Sequence, residues 1–242
     1  MTTTINKEEI QKFSKLADEW WEVNGKFKPL HMFNPIRIEY ITDKIKQHFK
    51  IKDSKSNFLN RLNILDIGCG GGLISEPMAR LGGSITGIDA SEKNIKVAKI
   101  HSQKSGLKIN YLNKSPEQLN DIEKFDIILN LEIVEHVDNV GLYIESCYKL
   151  LKKGGLMFTA TLNRSLISYL KAIIGAEYIL RWLPIGTHDW NKFLKPEELE
   201  KLLQDKKFST VDIKGLEFNP ILNKWKKSNN LSVNYIISSS KN

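Results

Sequence analysis

The most constraining feature of the sequence is an alternation, from residue 62 onward, of short apolar runs with segments of helical spacing. The fourth apolar run, residues 125–131, is apolar on both faces, as a strand covered by helices on two sides must be. The alternation predicts an α/β fold with a doubly wound, mostly parallel sheet. The five apolar runs are residues 62–68, 84–89, 108–112, 125–131 and 155–161, and the helical segments between them are Leu73–Leu81, Glu92–Ser105 and Val140–Leu151.

The segments on either side of this core predict a helical cap and an antiparallel edge. Ile10, Phe13 and Trp20 recur at helical spacing, and a second helix is expected to begin at Pro35. After a further helix near the end of the chain, residues 208–216 and 232–239 alternate in hydropathy as a pair of antiparallel strands would. Together with the five apolar runs, this pair gives an expected sheet of seven strands.

Composition and charge exclude several classes of protein. The 242 residues are 41% hydrophobic and 26% charged, which is typical of a folded domain and excludes disordered, collagen-like and disulfide-dense chains. The net charge of +8 comes from 31 Lys and only 5 Arg against 28 acidic residues. Arg is the residue that recognises phosphate and guanine bidentately, and no Arg or aromatic side chains are interleaved as in RNA-binding platforms. We therefore expect no nucleic-acid partner.

The start of the chain and its two cysteines bear on the compartment. The first ten residues carry neither an apolar signal region nor an Arg-rich presequence. Cys69 and Cys147 stand in apolar surroundings and form no metal-ligand pattern, which suits a reducing compartment. We therefore expect a cytoplasmic protein.

A glycine-rich loop follows the first predicted strand and leads into a helix. Residues 66–72 read Asp-Ile-Gly-Cys-Gly-Gly-Gly, and glycines at such a point allow close backbone approach to a ligand. Position 73 is Leu rather than the third glycine of a dinucleotide fingerprint. Asp89 ends the second strand, where a carboxylate can accept both hydroxyls of a ribose. These features favour a nucleoside-type ligand without a pyrophosphate over a tight turn with an unrelated acid.

The loop and Asp89 resemble the first two motifs of class I S-adenosylmethionine-dependent methyltransferases. A narrower resemblance, to the ubiquinone biosynthesis O-methyltransferase family, runs through WWEVNGKFKPLH with NPIR, LEIVEHV, TLNRS and GAEYILRWLPIGTHDW. It implies a Rossmann-like domain that binds S-adenosylmethionine and methylates catechol-type hydroxyls of polyprenylated ubiquinone precursors, in both O-methylation steps. It also implies cofactor contacts at Arg37, Gly68, Asp89 and Leu131. Two departures are a longer loop near residues 52–60 and Leu131 where Met is frequent.

The resemblance organises the chain as one methyltransferase domain with four parts, and it leaves other functions open. A methyltransferase acting on another small molecule or on RNA is the alternative, and a non-catalytic cofactor-binding scaffold is a third possibility. The four parts are a helical cap at 1–50, a cofactor-binding βα core at 61–161, an apolar helical insert at 162–190, and a C-terminal helix and strand pair at 191–242.

Two carboxylates and an imidazole, Glu132, Glu135 and His136, follow the fourth strand at the edge of the sheet where ligands of such folds bind. A phenol is a poor nucleophile until it loses its proton. The three side chains could bind a divalent cation, Mg²⁺ or Mn²⁺, that acidifies the catechol. Alternatively, His136, with Glu135 beside it, is the general base. The structural alternative is that Glu135 and His136 only cap the next helix.

Residues 166–183 are far more apolar than a connection on this sheet needs, yet Lys171, Glu177 and Arg181 interrupt them too often for a membrane span. They predict an interfacial membrane-binding element or a lid over a greasy substrate, with packing on the domain's own core as the alternative. A polyprenylated phenol or quinol resides in the bilayer, so the resemblance favours peripheral contact with the inner face of the cell membrane. Other enzymes of quinone biosynthesis are further expected partners.

Overall fold

The computed structural model describes residues 3–52, 57–119, 124–170, 189–219, 222 and 224–242. The helices are α1 (Lys7–Lys15), α2 (Lys28–His48), α3 (Ser75–Arg80), α4 (Glu92–Lys104), α5 (Val140–Leu150), α6 (Leu166–Ser168) and α7 (Pro196–Asp205), with short 3-10 turns at Ala17–Glu19, Pro116–Gln118, Val134–His136 and Trp190–Lys192. The strands are β1 (Asn63–Ile67), β2 (Ser84–Ile88), β3 (Asn110–Leu112), β4 (Phe125–Leu131), β5 (Leu151–Leu162), β6 (Phe208–Asn219), β7 (Lys224–Ser228) and β8 (Asn234–Lys241).

The described strands form a single sheet in the order β3-β2-β1-β4-β5-β8-β6-β7. The first five are parallel, as predicted, and β8 enters antiparallel between β5 and β6. The predicted count of seven strands is one too low, because β7 pairs with β6 at the edge. Its sequence, KWKKS, has one apolar residue among lysines, which is typical of an edge strand protected against further pairing and gives no alternating signal.

Helices cover both faces of the sheet, which confirms the doubly wound prediction. On one face, residues of α5 and α7 such as Ile144 and Leu199 pack with Ile128 of β4. On the other face, residues of α2 such as Ile41 pack with Ile127 of the same strand. Successive β4 side chains therefore enter different cores, since neighbouring residues of a strand point to opposite faces.

The helical cap is present, but the prediction that its second helix begins at Pro35 is wrong. Helix α2 begins at Lys28, with Pro29 in the first turn, where a missing N–H costs nothing, and it continues through Pro35. A proline inside a helix removes one backbone hydrogen bond. Burial of Phe33, Tyr40 and Ile41 along one face offsets this loss.

The predicted apolar insert comprises residues 162–190. Residues 171–188, which are most of it, lie outside the described residues. Among the described residues of this segment, Leu166 is 77% exposed and Leu170 is 57% exposed. No helix in the described part of the chain is long and apolar enough to cross a membrane.

Candidate active site

The glycine loop between β1 and α3 has the backbone that its sequence predicts. Gly68, Gly70 and Gly72 have φ of +67°, +53° and +92°. Residues other than glycine rarely adopt φ in this region. A Cβ on Gly68 would fall 2.1 Å from Cδ1 of Ile133, and one on Gly70 would fall 2.4 Å from the Trp20 ring. Only glycine therefore allows Trp20 and Ile133 to close on this loop.

Asp89 lies at the carboxyl end of β2, next to the glycine loop. Its Oδ2 accepts a hydrogen bond from the Gly70 backbone N–H at 3.0 Å, and its Oδ1 accepts one from the Ser91 N–H at 2.7 Å. Burial raises the pKa of this carboxyl, and these N–H groups oppose the rise. Oδ1 also accepts a hydrogen bond from Nδ2 of Asn94 at 3.3 Å, whereas Oδ2 keeps a lone pair for a further donor. The arrangement therefore fits a ribose hydroxyl that approaches Oδ2 from the cavity.

Arg37 extends from α2 and is only 2% exposed. Its Nη1 lies 3.3 Å from Oε1 of Glu132, and the guanidinium stacks 4.1 Å above the centre of the Phe33 ring. The Nε of Arg37 is buried and has no hydrogen-bonding partner among the described residues. A buried donor without a partner is costly, so Nε and the neighbouring Nη fit a ligand carboxylate bound bidentately.

A cavity of about 890 Å³ joins these groups along the carboxyl edge of the parallel strands. Its wall includes all four residues predicted to contact the cofactor, namely Arg37, Gly68, Asp89 and Leu131, and also Glu132 and His136. Their roles stay predictions, but the fold places them around one space. This placement follows from topology, since the ends of neighbouring parallel strands meet at the same edge.

The rest of the wall is largely apolar and comes from α2 and the β6–β7 edge. Phe33 and Trp225 pack with ring centres 4.2 Å apart, and Phe218 lies 5.5 Å from Trp225. All three line the cavity together with Leu216. Because β6 runs in the same direction as β5, its end and the start of β7 lie at the same edge of the sheet as Asp89. The cavity therefore has a polar part and an apolar part.

The three residues predicted as metal ligands have different contacts. Glu132 faces Arg37, Glu135 is 3% exposed and is not among the described residues lining the cavity, and Nδ1 of His136 lies 3.0 Å from Oε2 of Glu9. No group of three or more His, Cys, Asp or Glu side chains in the described ranges could hold a metal ion. A divalent cation needs several oxygens aimed at one point, and the role of these three side chains as its ligands stays a prediction.

The Glu135 carboxyl is buried beside the charge of Glu132. Burial, together with the charge of Glu132, raises the pKa of its carboxyl well above the ordinary value, which favours the protonated form. The alternative that Glu135 and His136 cap the next helix is not supported either, because the N-cap of α5 is Asn139, whose side chain accepts from the Leu142 N–H at 2.9 Å. Of this cluster, only Glu132 and His136 reach the cavity.

Asp66, at the end of β1, is a cavity residue whose role the sequence does not indicate. It is 4% exposed, and its Oδ2 accepts a hydrogen bond from Oγ of Ser75 at 2.6 Å. Burial raises the pKa of its carboxyl to about 7, against the opposing effect of the Ser75 hydrogen bond. Its place in the glycine motif was visible in the sequence, but its burial depends on α2 and α3, which pack from distant positions.

The N-terminal segment closes the cavity on the side of the glycine loop. Nε1 of Trp20 donates to Oδ1 of Asn94 at 3.0 Å, and Nε1 of Trp21 donates to the Gly71 carbonyl at 2.9 Å. The Trp20 ring stacks on Phe27 with centres 3.8 Å apart. Both tryptophans therefore pack the cap against the core.

Comparison with solved structures shows the fold. Magnesium protoporphyrin IX methyltransferase from Synechocystis PCC 6803 with bound SAH has a TM-score of 0.63 at 17% sequence identity, over 97% of this chain and 100% of that one. An S-adenosylmethionine-dependent methyltransferase from Clostridium acetobutylicum has a TM-score of 0.58 at 17% identity, over 96% of this chain and 98% of the other. At such identities the likeness concerns the fold alone.

Comparison of sequences narrows the assignment. A family model described as a methyltransferase domain matches residues 65–159, which contain the glycine loop and Asp89. A ubiquinone biosynthesis O-methyltransferase from Pelagibacter ubique is 59% identical over 99% of both chains. One from a Chelativorans species is 52% identical over 97% of this chain and 93% of its own. The chain therefore belongs to the ubiquinone biosynthesis O-methyltransferase family.

Proposed function

We propose that this protein transfers a methyl group from S-adenosylmethionine to catechol-type hydroxyls of polyprenylated ubiquinone precursors, and that it serves both O-methylation steps. The observation that carries the proposal is the single cavity that joins the glycine loop and Asp89 to His136 and to an apolar wall. The near full-length identity to relatives of that name supports the same substrate class.

The cofactor would be held by residues of three elements. Arg37 of α2 would bind the amino-acid carboxylate, Asp89 would accept a hydrogen bond from a ribose hydroxyl, and the backbone around Gly68 would pass beneath the methionine part. Leu131 would contribute a backbone contact, which tolerates the change from the more frequent Met. When bound, S-adenosylmethionine supplies an electrophilic methyl group for in-line attack by a phenolate oxygen.

His136 is the chain's own group for removing the phenol proton. It lines the cavity, and an imidazole ring nitrogen can accept the proton of a phenol. Glu135 lies behind the cavity wall and would act only through its neighbours. The proposal takes no step through a divalent cation; Glu132, Glu135 and His136 are the residues predicted to hold one.

The apolar wall supports a prenylated acceptor. Phe33, Phe218 and Trp225 offer the flat, greasy surface that an aromatic ring with a prenyl tail would pack against. RNA, the alternative acceptor, is bound on basic or aromatic surfaces that are open to solvent. The apolar cavity wall therefore favours the prenylated acceptor over RNA.

The choice of acceptor is tested with purified protein and methyl-labelled S-adenosylmethionine. A short-chain prenyl catechol, a soluble catechol without the tail and total RNA are offered separately, and the label is followed by mass spectrometry. We expect methylation of both catechols, with a lower KM for the prenylated one, and none of RNA. Labelled RNA with unlabelled catechols would contradict the proposal.

The Asp89→Ala variant tests the cofactor contact. Loss of one hydrogen bond to a charged group is expected to raise the Kd for S-adenosylhomocysteine by about 10- to 150-fold. Titration calorimetry measures the change, and circular dichroism checks that the variant is folded. Asp205→Ala, which removes an exposed carboxylate at the end of α7, is the matched control and should bind as wild type does. A Kd for Asp89→Ala within twofold of wild type would exclude the assigned contact.

Membrane contact through residues 166–183 is the second part of the proposal. Leu166 and Leu170 are exposed large apolar residues at its start, and the net charge of +7 in residues 151–242 favours an anionic lipid surface. The double change Leu166→Ser with Leu170→Ser is expected to lower binding to phosphatidylglycerol-containing liposomes by at least about 10-fold. Flotation measures it, with Ile100→Ser, an exposed residue of α4, as control. Equal binding of all three proteins would refute the membrane contact.

A further inference from the structure

Asn34 of α2 is a buried polar residue of the cavity wall that the assigned cofactor contacts do not use. It lies inside the helix, is 7% exposed and lines the cavity. Its Oδ1 is buried and has no hydrogen-bonding partner among the described residues. Asparagine is unfavourable in a helix interior, and a buried acceptor without a partner costs free energy. Helix formation and packing therefore do not explain this side chain, whereas a donor bound in the cavity would.

Asn34 lies on the same face of α2 as Arg37. The two residues are three positions apart, and side chains with this spacing on a helix are neighbours whose Cβ atoms lie about 5 to 6 Å apart. Nε of Arg37 is also buried without a partner in the described part of the chain. Helix α2 therefore offers to one cavity an unsatisfied acceptor and, one turn later, an unsatisfied donor.

A ligand that satisfies both atoms needs a negative and a positive group close together. An α-amino acid carries its carboxylate and its ammonium on one carbon, and each forms charge-assisted hydrogen bonds of about 2.7 to 2.9 Å. The Arg37 guanidinium matches the carboxylate, and Oδ1 of Asn34 matches the ammonium, which can only donate. Glu132 is the alternative acceptor, but its Oε1 already lies 3.3 Å from Nη1 of Arg37. The two α2 side chains therefore fit an amino-acid zwitterion.

We propose that Asn34 accepts a hydrogen bond from the α-ammonium of S-adenosylmethionine, so that α2 recognises both charges of the methionine part. This inference rests on the proposed binding of S-adenosylmethionine in the cavity. It makes Asn34 a residue that favours the intact cofactor over nucleosides that lack the amino group.

Titration calorimetry with four nucleosides compares wild type with Asn34→Leu, which keeps a branched side chain and removes the acceptor. The four are S-adenosylhomocysteine, its deaminated analogue, its decarboxylated analogue, and 5′-methylthioadenosine, which lacks both charged groups. In Asn34→Leu we expect the Kd for S-adenosylhomocysteine and for its decarboxylated analogue to rise by about 10- to 150-fold. The Kd for the deaminated analogue and for 5′-methylthioadenosine should stay within twofold of wild type.

Two further variants complete the comparison. Asn34→Ala removes the acceptor without adding bulk to the cavity wall, and it should reproduce the pattern even where leucine disturbs the packing. Thr42→Val removes a buried hydroxyl of the same helix, which donates to the Glu39 carbonyl at 3.0 Å and does not line the cavity. It should bind all four nucleosides as wild type does.

The distribution of the losses over the four nucleosides identifies the contact. Losses of equal size for all four in both Asn34 variants would show that Asn34 only supports the wall, and would overturn the inference. A loss confined to the two nucleosides with a carboxylate would assign the amide to that group and overturn it as well, as would an unchanged Kd for S-adenosylhomocysteine. Wild type that binds in the expected pattern but methylates no catechol would contradict the proposed function and support the inference.

Discussion

Replacement of His136 by alanine is expected to lower kcat for methyl transfer by about 10²- to 10⁴-fold, the range typical for removal of a general base. The reason is that a neutral phenol attacks a methyl donor poorly, and His136 is the imidazole that lines the cavity next to the cofactor residues. The Kd for S-adenosylhomocysteine should stay within twofold of wild type, because the assigned contacts come from Arg37, Gly68, Asp89 and Leu131.

Steady-state kinetics with a short-chain catechol measures the first quantity, and titration calorimetry measures the second. His48→Ala is the matched control, since His48 contacts the Gly154 carbonyl on the surface at 2.8 Å and does not line the cavity. It should keep wild-type turnover. If His136→Ala retained more than half of the wild-type kcat, the base would have to be another group.

The Asp66→Asn variant is expected to be more stable than wild type at about pH 8, and nearly equal to it at about pH 4. The folded protein raises the pKa of Asp66 to about 7, above the ordinary value of 3.8, mainly by burial. Between those values the folded state binds more protons than the unfolded state, so the free energy of unfolding falls as pH rises. Above pH 7, the buried charge of Asp66 lowers the free energy of unfolding by on the order of 4 kcal/mol. Asparagine carries no charge, so the variant does not lose this stability.

Thermal unfolding over a pH series measures this difference. A free-energy change of this size corresponds to a rise in Tm of roughly 10 °C at about pH 8 for a domain of this length. Asp205→Asn, at an exposed position, should show the same Tm as wild type throughout the series. A Tm difference between Asp66→Asn and wild type that did not change with pH would show that burial of the charge is not its cause.

The parts of the fold that local patterns specify could be predicted from the sequence. The alternation from residue 62 predicts the parallel strands, since each strand and helix carries its own apolar pattern. Gly68 and Asp89 could be placed at a ligand site because the ends of parallel strands meet at one edge. Arg37 and Leu131, which line the same cavity, could be predicted only from the resemblance to a family.

The parts that depend on distant contacts could not be predicted. Pro35 resembles a helix start, yet burial of α2 against the sheet carries the helix through it. The Lys-rich strand β7 has no alternating pattern, and its place follows from pairing with β6. Glu9 looks like an ordinary acidic residue in the first turn of a helix, and its contact with His136 spans 127 positions. No local signal in the sequence marks such a pair.

Complementation of a bacterial strain that lacks its own ubiquinone O-methyltransferase tests whether this protein serves both O-methylation steps. Quinones are extracted from cells that express this protein or its His136→Ala variant, and ubiquinone and its hydroxylated precursors are measured by mass spectrometry. We expect wild type to restore ubiquinone and to remove the precursors of both O-methylation steps, whereas His136→Ala, present at an equal amount, should do neither. Accumulation of either precursor in cells that contain folded wild-type protein would show that the protein does not serve that step.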